Sequence, residues 1–336
     1  MIRRVVALAM CTWAFLGVGP PLSAPPASGD DILESLRSVK APRLMARLER
    51  VADRIQQAEK AEAAGDHATA AKRYLEAARD LERLLEENPG FSQADLVLLL
   101  VGRLTEEAGS FDKAGESYAR LVEEEGFEKS EYRVSAMSDL GDCRARGYDF
   151  QAAVKSWTRV VDEYPKDERA PQALLKAAEL LECDHRYTQA IVLLQRFLEM
   201  FPKHELAGKL AYVLATFHEE AGDGTRAGEA YRWFVKAYGG DPGHVTTVMR
   251  AHLALGKLAE PAGKQERAEG HLKQVLRLFA TRGLEAGSKA AEVAAEASFL
   301  LAESELPAYR NIEIRGDSTR QKKGAADKIR KLKELE

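Results

Sequence analysis

A repeated pattern of small and large apolar residues runs through most of the chain and constrains its fold more than any other feature. Six segments align on alanines spaced 44, 39, 37, 37 and 41 residues apart: Ala70, Ala114, Ala153, Ala190, Ala227 and Ala268. Four residues after each alanine stands a large side chain: Tyr74, Tyr118, Trp157, Leu194, Tyr231 and Leu272. Because apolar residues at steps of three and four line one helix face, each segment predicts an amphipathic helix.

A second helix precedes each of these, and a turn joins the two. Five residues before the alanine, four of the six segments have a glycine, which permits a tight turn: Gly65, Gly109, Gly222 and Gly263. Upstream, a small residue such as Gly102 or Gly141 lets the partner helix approach closely. Pro165 and Pro202 mark hairpin ends, since proline cannot continue a helix. The sequence therefore predicts an all-α fold of about six helix hairpins over residues 50–280.

These small, aromatic and proline positions resemble those of the tetratricopeptide repeat family. The resemblance covers about two thirds of the chain, although the units are longer than the family's usual period of about 34 residues. It implies a right-handed α-solenoid in which the first helix of each hairpin lines a concave, partner-binding groove. Long units that end in Tyr-Pro or Phe-Pro also look like those of bacterial cell-envelope members, which serve outer-membrane assembly, division or motility.

The two ends of the chain differ from the repeats. Residues 1–29 have two arginines, an apolar stretch and a small-residue, proline-rich zone, which is the pattern of a signal peptide. Residues 30–49 predict a linker and capping helix, and residues 285–309 a C-terminal capping helix, because a solenoid end otherwise exposes an apolar face. Residues 310–336 predict a basic helical tail, with nine basic and five acidic residues. This tail is a candidate for docking a partner.

The signal peptide predicts an exported, periplasmic protein whose mature chain begins at Asp30 and has no membrane span. Association with the outer membrane, and lipid attachment at Cys11, are open alternatives. Cys143 and Cys183 remain after cleavage. Buried free thiols fit them best, and a disulfide between them is a second possibility.

The sequence contains no recognisable catalytic or metal-binding pattern. Its histidines lack ligand spacing, and its glycine pairs lack the Lys-Ser/Thr of a phosphate loop. The net charge of −4 argues against a nucleic-acid partner, because neutralising phosphates takes a basic excess. We therefore expect recognition and not catalysis, with no cofactor and no metal.

The family resemblance places the best candidate site on the first helices. It implies five groove-lining slots, which lie eighteen, fifteen, eleven, eight and seven residues before the alanine. The last three slots hold ten acidic and three basic residues, and the first two are mostly apolar. We expect an apolar stripe with an acidic border. The predicted site residues are Leu99, Glu106, Glu107, Asp142, Leu175, Glu179, Glu182, Tyr212, Glu219 and Glu220.

A groove of this kind fits a basic or amphipathic segment of a protein partner. The expected function is a non-catalytic scaffold of a bacterial envelope complex. An alternative from another class is an accessory solenoid that positions a cell-wall or polysaccharide-processing enzyme and contacts its glycan, with Tyr212 as the aromatic candidate. A third interpretation is that the acidic residues form only a solvated surface.

Overall fold

The structure, a computed structural model, describes residues 29–39, 44–259, 265–312 and 318–335. The predicted signal peptide, apart from its last residue, and Cys11 lie outside these ranges. The described residues form fifteen α-helices and one short 3₁₀-helix, and they include no strand. The predicted all-α class is therefore confirmed. None of the described helices is long and apolar enough to cross a bilayer.

Six helix hairpins form the body of the chain, as the repeat predicts. Helix α1 (Gly29–Arg37) precedes them. The hairpins are α2 (Met45–Ala63) with α3 (His67–Glu87), α4 (Ala94–Glu107) with α5 (Phe111–Glu123), α6 (Arg133–Arg146) with α7 (Phe150–Glu163), α8 (Ala170–Cys183) with α9 (Tyr187–Met200), α10 (Ala207–Glu220) with α11 (Gly224–Tyr238), and α12 (Val245–Ala259) with α13 (Gln265–Thr281). Helices α14 (Lys289–Arg310) and α15 (Ser318–Leu335) follow.

The turns inside the first five hairpins share one backbone conformation, whichever residue occupies the key position. Gly65, Gly109 and Gly222 have φ angles of 78°, 71° and 78°. Tyr148 and His185 stand at the same position of the third and fourth hairpins, with φ angles of 65° and 55°. A residue with a Cβ atom pays about 1–2 kcal/mol for this conformation. The hairpin geometry therefore outweighs the local preference of these two residues.

Small residues bring the two helices of a hairpin into close contact. A Cβ atom at Gly102 would lie 2.7 Å from Cδ1 of Tyr118, and one at Gly141 would lie 2.5 Å from Cδ1 of Trp157. Real Cβ atoms do not come this close to other heavy atoms. The role predicted for the small residue of the first helix is confirmed at both positions.

The chain divides into two compact units, one up to Phe197 and one from Leu198 onward. In the first unit, α1 packs against α2 and α4 and adds Ile32 and Leu36 to their core. In the second unit, α14 packs against α12 and α13, and its Ala297 joins their core. Each of these helices covers the apolar face of a terminal hairpin.

Candidate functional site

The ten predicted site residues fall into buried and accessible groups. Leu99 and Leu175 are only 2% and 4% exposed. Glu179 and Glu182 are also buried, at 5% and 6%. Those that are half-buried or exposed are Glu106, Glu107, Asp142, Tyr212, Glu219 and Glu220.

The predicted apolar stripe is wrong at Leu99 and Leu175. Helix α4 contacts the next first helix, α6, as well as its hairpin partner α5. Helix α8 is joined to α6 through a buried ion pair between Lys176 and Asp142. Both leucine side chains are buried, so they stabilise the core and offer no surface to a partner.

Three of the first-helix carboxylates bind a tyrosine hydroxyl of their own hairpin. Each hydrogen bond joins residues twelve apart and runs from the hydroxyl to Oε2 of the acid: Tyr74 to Glu62 at 3.3 Å, Tyr118 to Glu106 at 3.2 Å and Tyr231 to Glu219 at 2.8 Å. All three tyrosines are buried, and a buried hydroxyl needs a hydrogen-bond partner. Part of the acidic pattern therefore stabilises the hairpins. The twelve-residue spacing between acid and tyrosine is visible in the sequence, but the hydrogen bond was not predicted from it.

Asp142 has a related structural role in the third hairpin. The Nε1–H group of Trp157 donates a hydrogen bond to Oδ1 of Asp142 at 3.0 Å. Lys176, only 3% exposed, places Nζ 2.6 Å from Oδ2 and 2.8 Å from Oδ1 of the same carboxylate. Sequence reasoning missed Lys176, although a lysine inside the apolar run of residues 173–181 is a signal for a buried ion pair.

The fourth hairpin lacks the aromatic donor, and a carboxylate oxygen there is unsatisfied. Leu194 stands where the first three hairpins have tyrosine or tryptophan. Oε2 of Glu179 is buried and has no hydrogen-bond partner in the described chain. Burial, followed by the charge of Glu182, raises the pKa of Glu179 to about 8, against the opposing charge of Lys176. Glu179 is therefore mostly protonated at neutral pH and is not the surface charge predicted for it.

Three carboxylates of the first unit lie close enough to affect one another: Glu62, Glu106 and Glu107. Burial raises the pKa of Glu107 to about 7, helped by the negative charges of Glu62 and Glu106. Glu62 and Glu106 accept the tyrosine hydroxyls, whereas Glu107 makes no hydrogen bond within the described residues. Nη1 of Arg146 lies 3.6 Å from Oε1 of Glu106. The guanidinium of Arg146 thus lies near two of the three carboxylates, Glu106 and Glu107.

In the second unit, the predicted site residues lie on α10. The ring of Tyr212 packs against Tyr231 and Phe234, with centroid distances of 5.6 Å to each. Burial raises the pKa of Tyr212 to about 12. Tyr212 thus contributes to the core of its hairpin, while Glu219 and Glu220 are exposed at the end of the helix.

The described cysteines and histidines do not form a reactive site. Cys143 and Cys183 are free thiols, and burial raises the pKa of Cys183 to about 11 and that of Cys143 further still. Neither thiol is a thiolate near neutral pH. Nδ1 of His252 lies 3.1 Å from Nδ1 of His271, and burial lowers both pKa values. Within the described ranges, no group of three or more potential ligands could hold a metal ion.

Comparison with known families identifies the repeat. Tetratricopeptide repeat models match residues 57–129, 135–167 and 175–242, which together make up more than half of the chain. The chain belongs to the tetratricopeptide repeat family. Proteins with these repeats generally act as interaction scaffolds and not as catalysts. No curated protein matches the sequence.

Several solved repeat structures are similar to this tetratricopeptide repeat chain at low identity. A MamA protein is 18% identical, with a TM-score of 0.40, and the match covers 59% of this chain and all of that one. A repeat protein from Parabacteroides merdae is 15% identical, with a TM-score of 0.37 and coverage of 85% and 93%. The apo form of RapI is 12% identical, with a TM-score of 0.40 and coverage of 78% and 99%. These scores are too low for an inference about function.

Proposed function

We propose that this tetratricopeptide repeat protein is a non-catalytic scaffold that binds a partner segment with basic side chains along its first helices. The proposal rests on the environment of Glu107, which lies close to two other carboxylates. Its carboxylate is half-buried, and burial with the charges of Glu62 and Glu106 raises its pKa to about 7. Ionised Glu107 is therefore unfavourable in the free protein. A lysine or arginine from a partner would stabilise the ionised form and make a charge-assisted hydrogen bond.

Glu179, on another first helix of the same unit, is not part of this binding surface, because its Oε2 atom is buried. Its Oε2 atom lacks the donor that a tyrosine or tryptophan supplies in the first three hairpins. A buried acceptor without a partner costs about 1–3 kcal/mol. A partner at the surface does not reach this oxygen, so the cost falls on the stability of the folded protein.

A charge-reversal experiment tests the binding mode. The probe is a fluorescent amphipathic peptide of lysine and leucine, titrated by anisotropy at low and high salt. Glu107→Lys should weaken binding about tenfold or more, and the wild-type affinity should fall with salt. Glu123→Lys is the matched control, because Glu123 is exposed on a second helix and the net charge changes equally. Wild-type affinity in Glu107→Lys, or equal losses in both variants, would contradict the proposal.

We further propose that the scaffold acts in the periplasm, as part of a bacterial envelope complex. This rests on the export pattern of residues 1–29 and on the long repeat units ending in Tyr-Pro or Phe-Pro. The mass of the protein recovered from a periplasmic fraction should correspond to a chain that begins at Asp30. Recovery of the full chain, with Met1, from the cytoplasm would count against export. Crosslinking in intact cells should then capture envelope proteins.

A further inference from the structure

The hairpin of α2 and α3 carries a ladder of charged side chains. Each helix contributes three residues at positions i, i+3 and i+7, which lie on one helix face. Because the two helices run antiparallel, the rungs pair Arg47 with Glu87, Arg50 with Arg83, and Arg54 with Asp80. The outer rungs join opposite charges, and the middle rung has an arginine on both helices.

The outer rungs are ion pairs and the middle one is not. Nη2 of Arg47 lies 2.5 Å from Oε2 of Glu87, and Arg54 bonds to the carboxylate of Asp80. Arg50 and Arg83 are exposed, and neither makes a hydrogen bond or ion pair with any residue in the described ranges. The two arginines of the middle pair therefore have no carboxylate partner, although the pairs on both sides of them do.

The ladder borders an open surface cavity of about 250 Å³, lined by Arg47, Arg50, Arg54, Asp80 and Arg83. This volume lies just below the range of about 300–1,000 Å³ that is usual for cofactor-sized ligands. The cavity therefore suits one small group and not a whole nucleotide.

We propose that Arg50 and Arg83 bind a small phosphate-type oxyanion in this cavity. A tetrahedral phosphate presents oxygens on several sides, so two guanidinium groups can each form paired hydrogen bonds with it. A carboxylate has only two oxygens and satisfies one guanidinium in this way. Glu87 and Asp80 offset the charges of Arg47 and Arg54, so the net positive charge at the cavity comes from Arg50 and Arg83. The phosphate can belong to a soluble ester or to a lipid headgroup, since both present the same oxygens.

Titration with inorganic pyrophosphate tests the site on the full chain. Melting temperature and calorimetry are followed, with sodium chloride at matched ionic strength as the reference. The wild type should show saturable binding and a rise in melting temperature. Arg50→Gln and Arg83→Gln should each weaken binding at least about tenfold. Arg79→Gln should keep the wild-type response, because Arg79 is exposed on α3 but does not line the cavity.

Arg83→Glu separates loss of the site from loss of the fold. It would convert the middle rung into an opposite-charge pair, so we expect the ligand-free variant to melt at or above the wild-type temperature while losing the response to pyrophosphate. Absence of a wild-type response, or an equal response in Arg83→Glu, would overturn the proposal. Tighter binding of a polyglutamate peptide than of pyrophosphate, with the same arginine dependence, would also overturn the phosphate assignment.

Vesicles distinguish the two sources of phosphate. Cosedimentation with vesicles of phosphatidic acid in phosphatidylcholine, lost in Arg83→Glu and absent with phosphatidylcholine alone, would support a lipid headgroup. A pyrophosphate response without vesicle binding would support a soluble phosphate ester. Either result is compatible with the site, and both experiments use the same variants.

Discussion

Tyr148 holds a left-handed backbone conformation that glycine holds at the same turn position of three other hairpins. Its side chain is 65% exposed and makes an edge contact with the ring of Phe150. The contact between the two rings is partly solvated and therefore weak. The cost of the left-handed backbone conformation, by contrast, applies in full. The residue therefore contributes less to stability than a glycine would at the same position.

Tyr148→Gly should stabilise the protein by about 0.5–1 kcal/mol, because the relief of backbone strain exceeds the lost ring contact and the entropy cost of glycine. A urea titration should show a higher midpoint with an unchanged slope. Gly109→Ala is the matched control, and it should lower stability by about 1 kcal/mol. No atom lies within 4 Å of the added Cβ, so its cost is conformational. A lower midpoint for Tyr148→Gly would contradict the prediction.

Glu179 makes stability depend on pH. Burial raises its folded-state pKa to about 8, above the ordinary value of about 4.5 for a glutamate. The folded state therefore retains the proton while the unfolded state releases it, so the stability contributed by protonated Glu179 is complete below pH 4.5. That contribution declines as pH rises from 4.5 through 8.

In Glu179→Gln this pH-dependent loss should disappear. The difference in unfolding free energy between the variant and the wild type should shift in favour of the variant as pH rises from 5 to 8, by up to a few kcal/mol. Urea unfolding across that range measures this difference. The slope against pH is the readout, because it does not depend on the constant cost of burying an amide. Glu220→Gln, at an exposed carboxylate, should follow the wild-type profile. Parallel profiles for wild type and Glu179→Gln would refute the prediction.

At the scale of the element, each hairpin depends on one close approach between its two helices. Gly141 faces the indole ring of Trp157, and Gly102 faces the ring of Tyr118. The large residue four places after the repeat alanine packs against the small residue of the first helix. The sequence shows both positions, and the structure shows that they touch.

Gly141→Ala should destabilise the protein by about 2 kcal/mol or more, since the new methyl group would overlap the indole ring and force the helices apart. Gly115→Ala is the control. Its Cβ would lie 3.7 Å from Cδ1 of Leu140, an ordinary contact, so improved helix propensity should stabilise it by about 0.5–1 kcal/mol. Thermal unfolding of the two variants gives the comparison. Equal changes in stability would show that helix propensity, and not packing, determines the effect of Gly141→Ala.

At the scale of the whole molecule, the tail helix α15 differs from the helices before it. It contacts α14, and none of its side chains with a described burial is buried. Ile329 is 56% exposed. A helix with so little buried surface adds little to the stability of the chain and is available to a partner.

Removal of residues 318–336 should therefore change the free energy of unfolding by less than about 1 kcal/mol, as judged by thermal or urea unfolding. If the tail docks a partner, the truncated protein should recover less of that partner after crosslinking. A large fall in melting temperature would show that α15 belongs to the folded core. Full partner recovery by the truncated protein would exclude a docking role for the tail.

The number of hairpins and the positions of their turns were predictable because they depend on local periodicity and on turn residues. The position of the small residues was predictable for the same reason. The burial of Leu99 was not, because it depends on how the helices pack in the tertiary structure. Glu106 looks like a surface charge in the sequence, yet in the folded hairpin it accepts a hydrogen bond from Tyr118, twelve residues away.

The sequence by itself determined that this chain is a tandem array of helix hairpins, because apolar spacing and turn residues act over a few residues along the backbone. Only the tertiary structure decided which acidic groups remain available. Tyr118 and Lys176 engage some carboxylates, while Glu107 and Glu179 are left without a donor. That outcome depends on distances of a few ångströms between side chains on different helices, and such distances exist only after the helices have packed.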